Sequence, residues 1–316
     1  MLLRFVARRL ILLLVALLVS SFVIFGSLYL SPGSPLSVLS GGRAMPPAAL
    51  HALQLRYHLN QPFLAQYWYW LTGVFHGNLG ESIMYREPVA TVISQHAVLT
   101  IELVLYAALI IVTVGIGMGV LAALRPGWVD GSVIVVTTVF AAMPSFVAAV
   151  LLITLFAVTV HWFPALGPGQ GLADSLYHLT LPAIALAVSS MAIVSRVTRV
   201  AVRTELSREH VQTATSRGIP RRLVIRRHVL RNAAIPIATV TGITIASLIA
   251  VSAVVEQAFS LNGLGETLVQ AASSKDLAVV QGIALVLVTA FVVVNMLVDL
   301  LYAILDPTVS LGARAQ

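Results

Sequence analysis

The sequence predicts an all-α integral membrane protein of about six transmembrane helices, with both termini in the cytoplasm. Three observations lead there. Hydrophobic residues make up 59% of the 316-residue chain and charged residues 10%, against about 25% charged in soluble domains. Apolar runs of about twenty residues recur, each long enough as a helix to cross the hydrocarbon core of a bilayer. Charge is also segregated: ten of the eighteen arginines lie between Arg196 and Arg231.

In order, the apolar segments cover about 9–30, 99–124, 132–160, 179–200, 236–257 and 279–305. The first follows Arg4, Arg8 and Arg9, as a secretory signal would. Its run of about twenty residues exceeds the roughly 7–15 of a signal core, and "YLSPGSP" follows in place of an A-x-A cleavage pattern. It is read as a retained helix, with a cleaved signal as the alternative. The positive-inside bias puts the arginine-rich tail and the arginine-rich fourth loop in the cytoplasm with the C-terminus. The outer segments, 31–98, about 161–178 and about 258–278, show no basic excess: Glu81, Glu87, Asp174, Glu266 and Asp276 face Arg43, Arg56, Arg86 and Lys275.

The expected division is a first helix with an outer subdomain over 1–98, then a five-helix core over 99–316. A cytoplasmic loop at about 201–235 interrupts that core. In the outer subdomain "PPAALHALQLRYHL" is helix-like, and the four clustered aromatics of "QYWYWLTGVF" suit a helix at the membrane interface. It either meets an external partner or packs as a lid on the bundle. Gly115 and Gly119 stand at GxxxG spacing for close helix approach in lipid. Pro144 and Pro182 are expected to kink or end helices.

Several chemistries are excluded. The chain has no cysteine, hence no disulfide and no thiolate metal site. Its single lysine, Lys275, follows Ser274, so a P-loop is impossible. HExxH and GxSxG are absent, leaving no catalytic or metal site to name.

Physically, "EHVQTATSRGIPRRLVIRRHVLRN" reads as helix, glycine break, helix. Ser207 is expected to cap the first helix, with Glu209 favoured in its first turn. Val211 and Ala214 share a face, Gly218 ends the helix, and Pro220 starts the next, where Ile219, Leu223 and Leu230 lie on one side. A merely basic inside loop, contact with anionic lipid, and docking to a cytoplasmic partner all remain open. Nucleic acid fits poorly, because no aromatics interleave the arginines.

These residues resemble a known family. "QTATSRG" is similar to the EAAxxxG loop of permease subunits in binding-protein-dependent ABC importers. Arg227, His228, Leu230, Arg231, Asn232, Ala233 and Pro236 match the RHxLRNAxxP tail of its peptide branch. "NLGESIMYREPV", "MPSF", "HLTLPA", "VVEQAFSLNGLGETL" and "NMLVDLLYAILDP" extend the likeness over nearly the whole chain.

The resemblance implies an ABC importer permease core carried in a bacterial cell membrane. Its partners would be a second, homologous permease subunit, two cytoplasmic ATPase subunits and an external substrate-binding protein. ATP and Mg would be bound by the ATPases, with no cofactor in this chain. Coupling to them would fall to Glu209, Val211, Thr213, Ala214, Arg217, Gly218, Arg227 and His228. The cargo implied is short peptides, with nickel complexes or glutathione-like molecules as alternatives. An ion-coupled secondary carrier is the rival class, although the chain shows no internal repeat. Intramembrane polar groups make Glu102, Glu256, Asn295 and Asp299 candidates for the translocation pathway. Of these, Glu102 and Glu256 are expected to be hydrated near outer ends, and Asp299 to cap or pair near the inner end. Three outer departures from the family pattern stand out: Asn262 in place of proline, His96 and Val98 before the second span, and Lys275-Asp276-Leu277.

Overall fold

Breakers between apolar runs set the helix boundaries. The computed structural model describes residues 2–30, 46–56 and 59–305. Its helices are α1 Leu2–Leu30, α2 Pro47–Arg56, α3 Phe63–Phe75, α4 Val89–Leu124, α5 Trp128–Ala142 and α6 Ser145–Thr159. They continue with α7 Leu172–Leu206, α8 Glu209–Ser216, α9 Arg221–Phe259, α10 Leu264–Ser273 and α11 Leu277–Leu305. Arg43 and the chain beyond Leu305 lie outside the described residues.

Five helices are long and apolar enough to cross a membrane, and the pair α5–α6 makes a sixth span if counted as one. That pair is bent by 104°. The cause is Pro144, which stands in extended conformation at the N-cap of α6 and cannot continue α5. Pro182 behaves differently, because α7 runs through it unbroken.

Helix lengths overshoot the bilayer. At 1.5 Å per residue, the 39 residues of α9 extend about 58 Å, roughly twice the hydrocarbon thickness. The excess projects the inner ends of α7 and α9 beyond the bilayer as stalks, and those ends carry the arginines.

α7 is the central helix. In its most apolar window 72% of residues are buried, against 11% in α1. The principal core joins Leu103 and Ile111 of α4, Ala149 of α6, Leu186 and Val194 of α7, and Leu248 and Phe259 of α9. α4 meets α7 along the GxxxG face. A Cβ on Gly119 would stand 2.5 Å from the Ser195 carbonyl oxygen and 2.6 Å from Thr198 Cβ, so only hydrogen fits there.

α3 lies against α1 through rings: Phe25 centres 5.5 Å from both Phe63 and Trp70, and Tyr67 and Ser21 hydroxyls meet at 2.8 Å. Leu64, Trp68 and Phe75 point away, as suits an interfacial helix.

Candidate functional site

The arginine-rich segment is a short helix held across two stalks. In α8, Val211 and Ala214 are each 5% exposed and pack with Ala123, Val202, Val224, Val229, Ala233 and Ile237. Residues three apart share a helix face, so this small face turns inward and fixes α8 to its own chain. Glu209, Thr213, Arg217 and Gly218 are exposed on the opposite side. Of the eight positions named from the sequence, Val211 and Ala214 therefore anchor the helix, and the others offer a polar outer surface. Arg227 is exposed on α9 and His228 is half-buried.

A Schellman motif ends α8. The Gly218 N–H donates to the Thr215 carbonyl at 3.0 Å, and the Ile219 N–H to the Ala214 carbonyl at 3.3 Å. Between them Gly218 takes φ +74°, a left-handed conformation that glycine adopts without Cβ strain. Ile219 packs on the same cluster as Ala214, adding the apolar contact usual in this motif.

Three local expectations need correction. Ser207 does not cap α8: α7 runs to Leu206, leaving Ser207 in αR conformation with its hydroxyl donating back to the Thr204 carbonyl at 2.8 Å. The N-cap is Arg208, in extended conformation and without a side-chain bond. Pro220 is likewise the N-cap of α9 and not its first helical residue. Leu223 is not on the inward face but is 39% exposed. A π-helical turn at Ile225–Val229 adds one residue to the turn and brings Val224, Val229 and Ala233 inward instead.

The residue that sequence reasoning missed is Asp130, in the first turn of α5. It is 8% exposed. Arg199 of α7 grips it through Nε and Nη2, the latter at 2.8 Å from Oδ2, and Arg203 Nη2 reaches the same oxygen at 2.9 Å. Bidentate guanidinium–carboxylate contacts are strong and directional, so α5 and the α7 stalk are tied close to the inner surface. A signal existed: Asp130 is the sole acid in an apolar segment between Arg125 and Arg196 that ends before Asp174, and intramembrane acids rarely lack a partner.

Known proteins add a second line of observation. The family described as binding-protein-dependent transport system inner membrane component matches residues 115–311, and its N-terminal companion matches 2–104. The chain belongs to this family. A Brucella abortus permease protein named for a peptide transport system is 38% identical over 297 residues, covering 93% of this chain and 94% of the relative. The glutathione transport system permease protein of Escherichia coli is 31% identical over 308 residues, covering 97% and 99%. The solved MetNI methionine ABC transporter, described in inward-facing conformations, matches with a TM-score of 0.53 at 18% identity. It covers 68% of this chain and 96% of that one, and so supports the fold. This chain is thus a multi-pass permease of the bacterial inner membrane, a membrane subunit of a transport system served by ATPase and substrate-binding subunits.

Within the permease, three of the four intramembrane candidates have described side chains. Glu256, expected to be hydrated, is fully buried. Its carboxylate accepts from the Thr100 hydroxyl at 2.9 Å and from the N–H groups of Gly265 at 2.7 Å and Glu266 at 3.1 Å. The last two belong to the first turn of α10, whose free donors and dipole favour a carboxylate. Glu102 is half-buried on α4, and Asn295 donates to the Phe291 carbonyl of its own helix at 2.9 Å. Asp299 lies on α11, with its side chain outside the described residues.

The three departures sit together on the permease's outer rim. His96 shares a hydrogen bond with the Asn262 carbonyl. Asn262 has φ +57° and its N–H donates to Glu266 at 2.7 Å; proline can supply neither. Asp276 is wholly buried and accepts from Ser82 Oγ at 2.6 Å and the Met84 N–H at 2.9 Å, pinning the outer loop before α4. Burial, with Asp276 and Glu266 beside it, raises the pKa of the neighbouring Tyr85 phenol.

Proposed function

We propose that this permease is one of two non-identical transmembrane subunits of an importer for short peptides, driven by two cytoplasmic ATPases and fed by an external binding protein. α8 is its coupling helix. The observation that carries this reading is the division of α8 into two faces: Val211 and Ala214 lock it to the stalks, while Glu209, Thr213 and Arg217 stand free for a partner. A helix so held moves as a rigid piece with the inner ends of α7 and α9. ATP and Mg act on the ATPases, and the shift they cause works only through different affinities for inward- and outward-open states.

The peptide cargo follows the relatives' names, and glutathione, itself a short peptide, falls in the same chemical class. Nickel complexes remain the alternative cargo. The test is uptake into proteoliposomes. ATP-dependent accumulation of a labelled tripeptide should require this chain, the second permease, the ATPases and the binding protein together. The isolated chain should hydrolyse no ATP, and turnover by it alone would overturn the reading.

A further inference from the structure

Three arginines stand on the inner half of α7, and one of them turns away from the other two. Arg199 and Arg203 reach Asp130, in the first turn of α5. Arg196 donates from Nη2 to the Thr138 hydroxyl at 2.8 Å, on the same helix but further from the inner surface. Arg196 and Arg199 are about 4.5 Å apart along α7, whereas their partners are about 12 Å apart along α5. The two side chains therefore diverge, Arg199 toward the inner surface and Arg196 toward the outside.

Arg196 thereby carries its charge into the membrane. Trp128, 83% exposed at the start of α5, suits the inner interface. Thr138 stands about 15 Å further along that helix, near the middle of a hydrocarbon core about 30 Å thick. Both Arg196 and Thr138 are exposed. The Thr138 proton goes to the Ile134 carbonyl at 2.7 Å, and its oxygen meets only one of the five N–H groups of the guanidinium. Among the described residues no carboxylate pairs with Arg196. Lipid is a poor neighbour for such a group: an arginine facing lipid bends toward the nearer headgroups, and Arg196 bends away from them. Water has a route to it, because Arg196 borders a cavity of about 590 Å³ whose lining continues past Val200 and Thr204 to Arg208, just beyond the inner end of α7.

We infer that Arg196 is a carboxylate-binding residue of the solute pathway, taking the C-terminal carboxylate of a transported peptide at mid-membrane while Thr138 steadies the guanidinium. The inference deepens the peptide reading above and rests on it. Peptides of differing side chains all carry that carboxylate, so a single arginine serves the whole class. With one N–H held by Thr138, the others still offer the two-pronged contact that a carboxylate accepts. Ile193 and Val200, about a turn to either side on the same face, are apolar and exposed, so selection at this level falls to the arginine. An intramembrane arginine with no fixed counter-charge binds its anion only while the solute is in the pathway, as transport requires.

The test uses the assembled importer in nanodiscs, with Ile193→Cys as this chain's single thiol. Folding is read from co-purification of the partner subunits, and labelling by a charged, water-soluble maleimide is followed by the mass of this chain. The thiol should label, and trialanine should slow that labelling several-fold while trialanine amide should not. Adding Arg196→Gln should erase the difference between the two peptides, and Arg196→Lys should keep part of it. A thiol that does not label without peptide would mean that lipid or the second permease covers this face, which overturns the pathway site. Equal slowing by both peptides, or slowing by neither, in an importer that takes up trialanine would refute carboxylate recognition and leave the peptide reading standing. Loss of the second permease during purification of Arg196→Gln but not of Arg196→Lys would make the arginine half of a fixed ion pair between subunits, which also overturns the inference. An importer that takes up no trialanine at all would fail the peptide reading itself, and the site with it.

Discussion

Asp130 at the start of α5 and Arg199 on the α7 stalk form a two-pronged ion pair, 69 residues apart in sequence, with Arg203 closing on the same carboxylate. The pair fastens the half-span before Pro144 to the stalk that leads into α8. On the function proposed above, movement of α8 would reach the bent α5–α6 span through this short electrostatic contact as well as through packing.

Asp130→Asn should leave insertion and pairing with the second permease intact while ATP-driven uptake falls sharply. The variant would set Arg199 and Arg203 side by side without their counter-charge. Arg199→Gln should do similar harm, and the double variant should be no worse than either single one, since contacting residues are not additive. Additive losses, measured as uptake rates in proteoliposomes, would show that the two residues act separately.

Much of this was legible in the sequence. Apolar length and arginine placement marked the spans and their direction, because lipid leaves the backbone few choices. Gly218 was readable too, since an αL helix end has a strong glycine preference. Leu223 was misplaced because nothing in the local sequence announces the π turn at Ile225–Val229. Asp130, Glu256 and Asp276 found partners 69, 156 and 194 residues away. Such pairings depend on how helices are placed side by side, which periodicity does not encode.

Close approach of α4 and α7 has a direct test. Gly119→Ala should cost about 1–3 kcal/mol, the usual range for overpacking, because its Cβ would strike the Ser195 carbonyl. Gly117→Ala, with nothing within 4 Å of its Cβ, should be neutral or slightly stabilising. Thermal unfolding in detergent separates them. Equal midpoints would mean that the helices are not in this contact.

At the outer mouth, Glu256→Gln should destabilise the permease by about 1–3 kcal/mol through donors left unpaired at the start of α10. Gly263→Ala should be at least as harmful, since its Cβ would lie 2.5 Å from Glu256 Oε2. Both losses should appear as lower melting midpoints at unchanged expression. A wild-type midpoint for both variants would show that this buried carboxylate is not the anchor of α10.

Topology is open to single-cysteine labelling, because the chain has no cysteine of its own. Ser216 and Ser273 are both exposed. Cysteines placed there should react with impermeant reagents from opposite faces, Ser216→Cys from the cytoplasm and Ser273→Cys from outside. Reaction of both from one face would remove a span between them.

The coupling role proposed for α8 is tested most directly at Gly218. Its Cβ position is open, with nothing within 4 Å, so a substitution there meets no clash and acts through backbone conformation alone. A side chain at φ +74° costs about 1–2 kcal/mol, enough to disturb the Schellman end of α8 without touching the spans. The decisive measurement is ATP-driven uptake by assembled importers carrying Gly218→Val, beside a charge-loss control carrying Arg221→Gln and Arg222→Gln. The account predicts that Gly218→Val inserts and pairs normally but transports several-fold more slowly, its ATPase no longer responding to loaded binding protein, while the arginine variant loses less. Wild-type uptake by Gly218→Val, with a deeper loss in the arginine variant, would make the segment a merely basic inner loop and contradict the account.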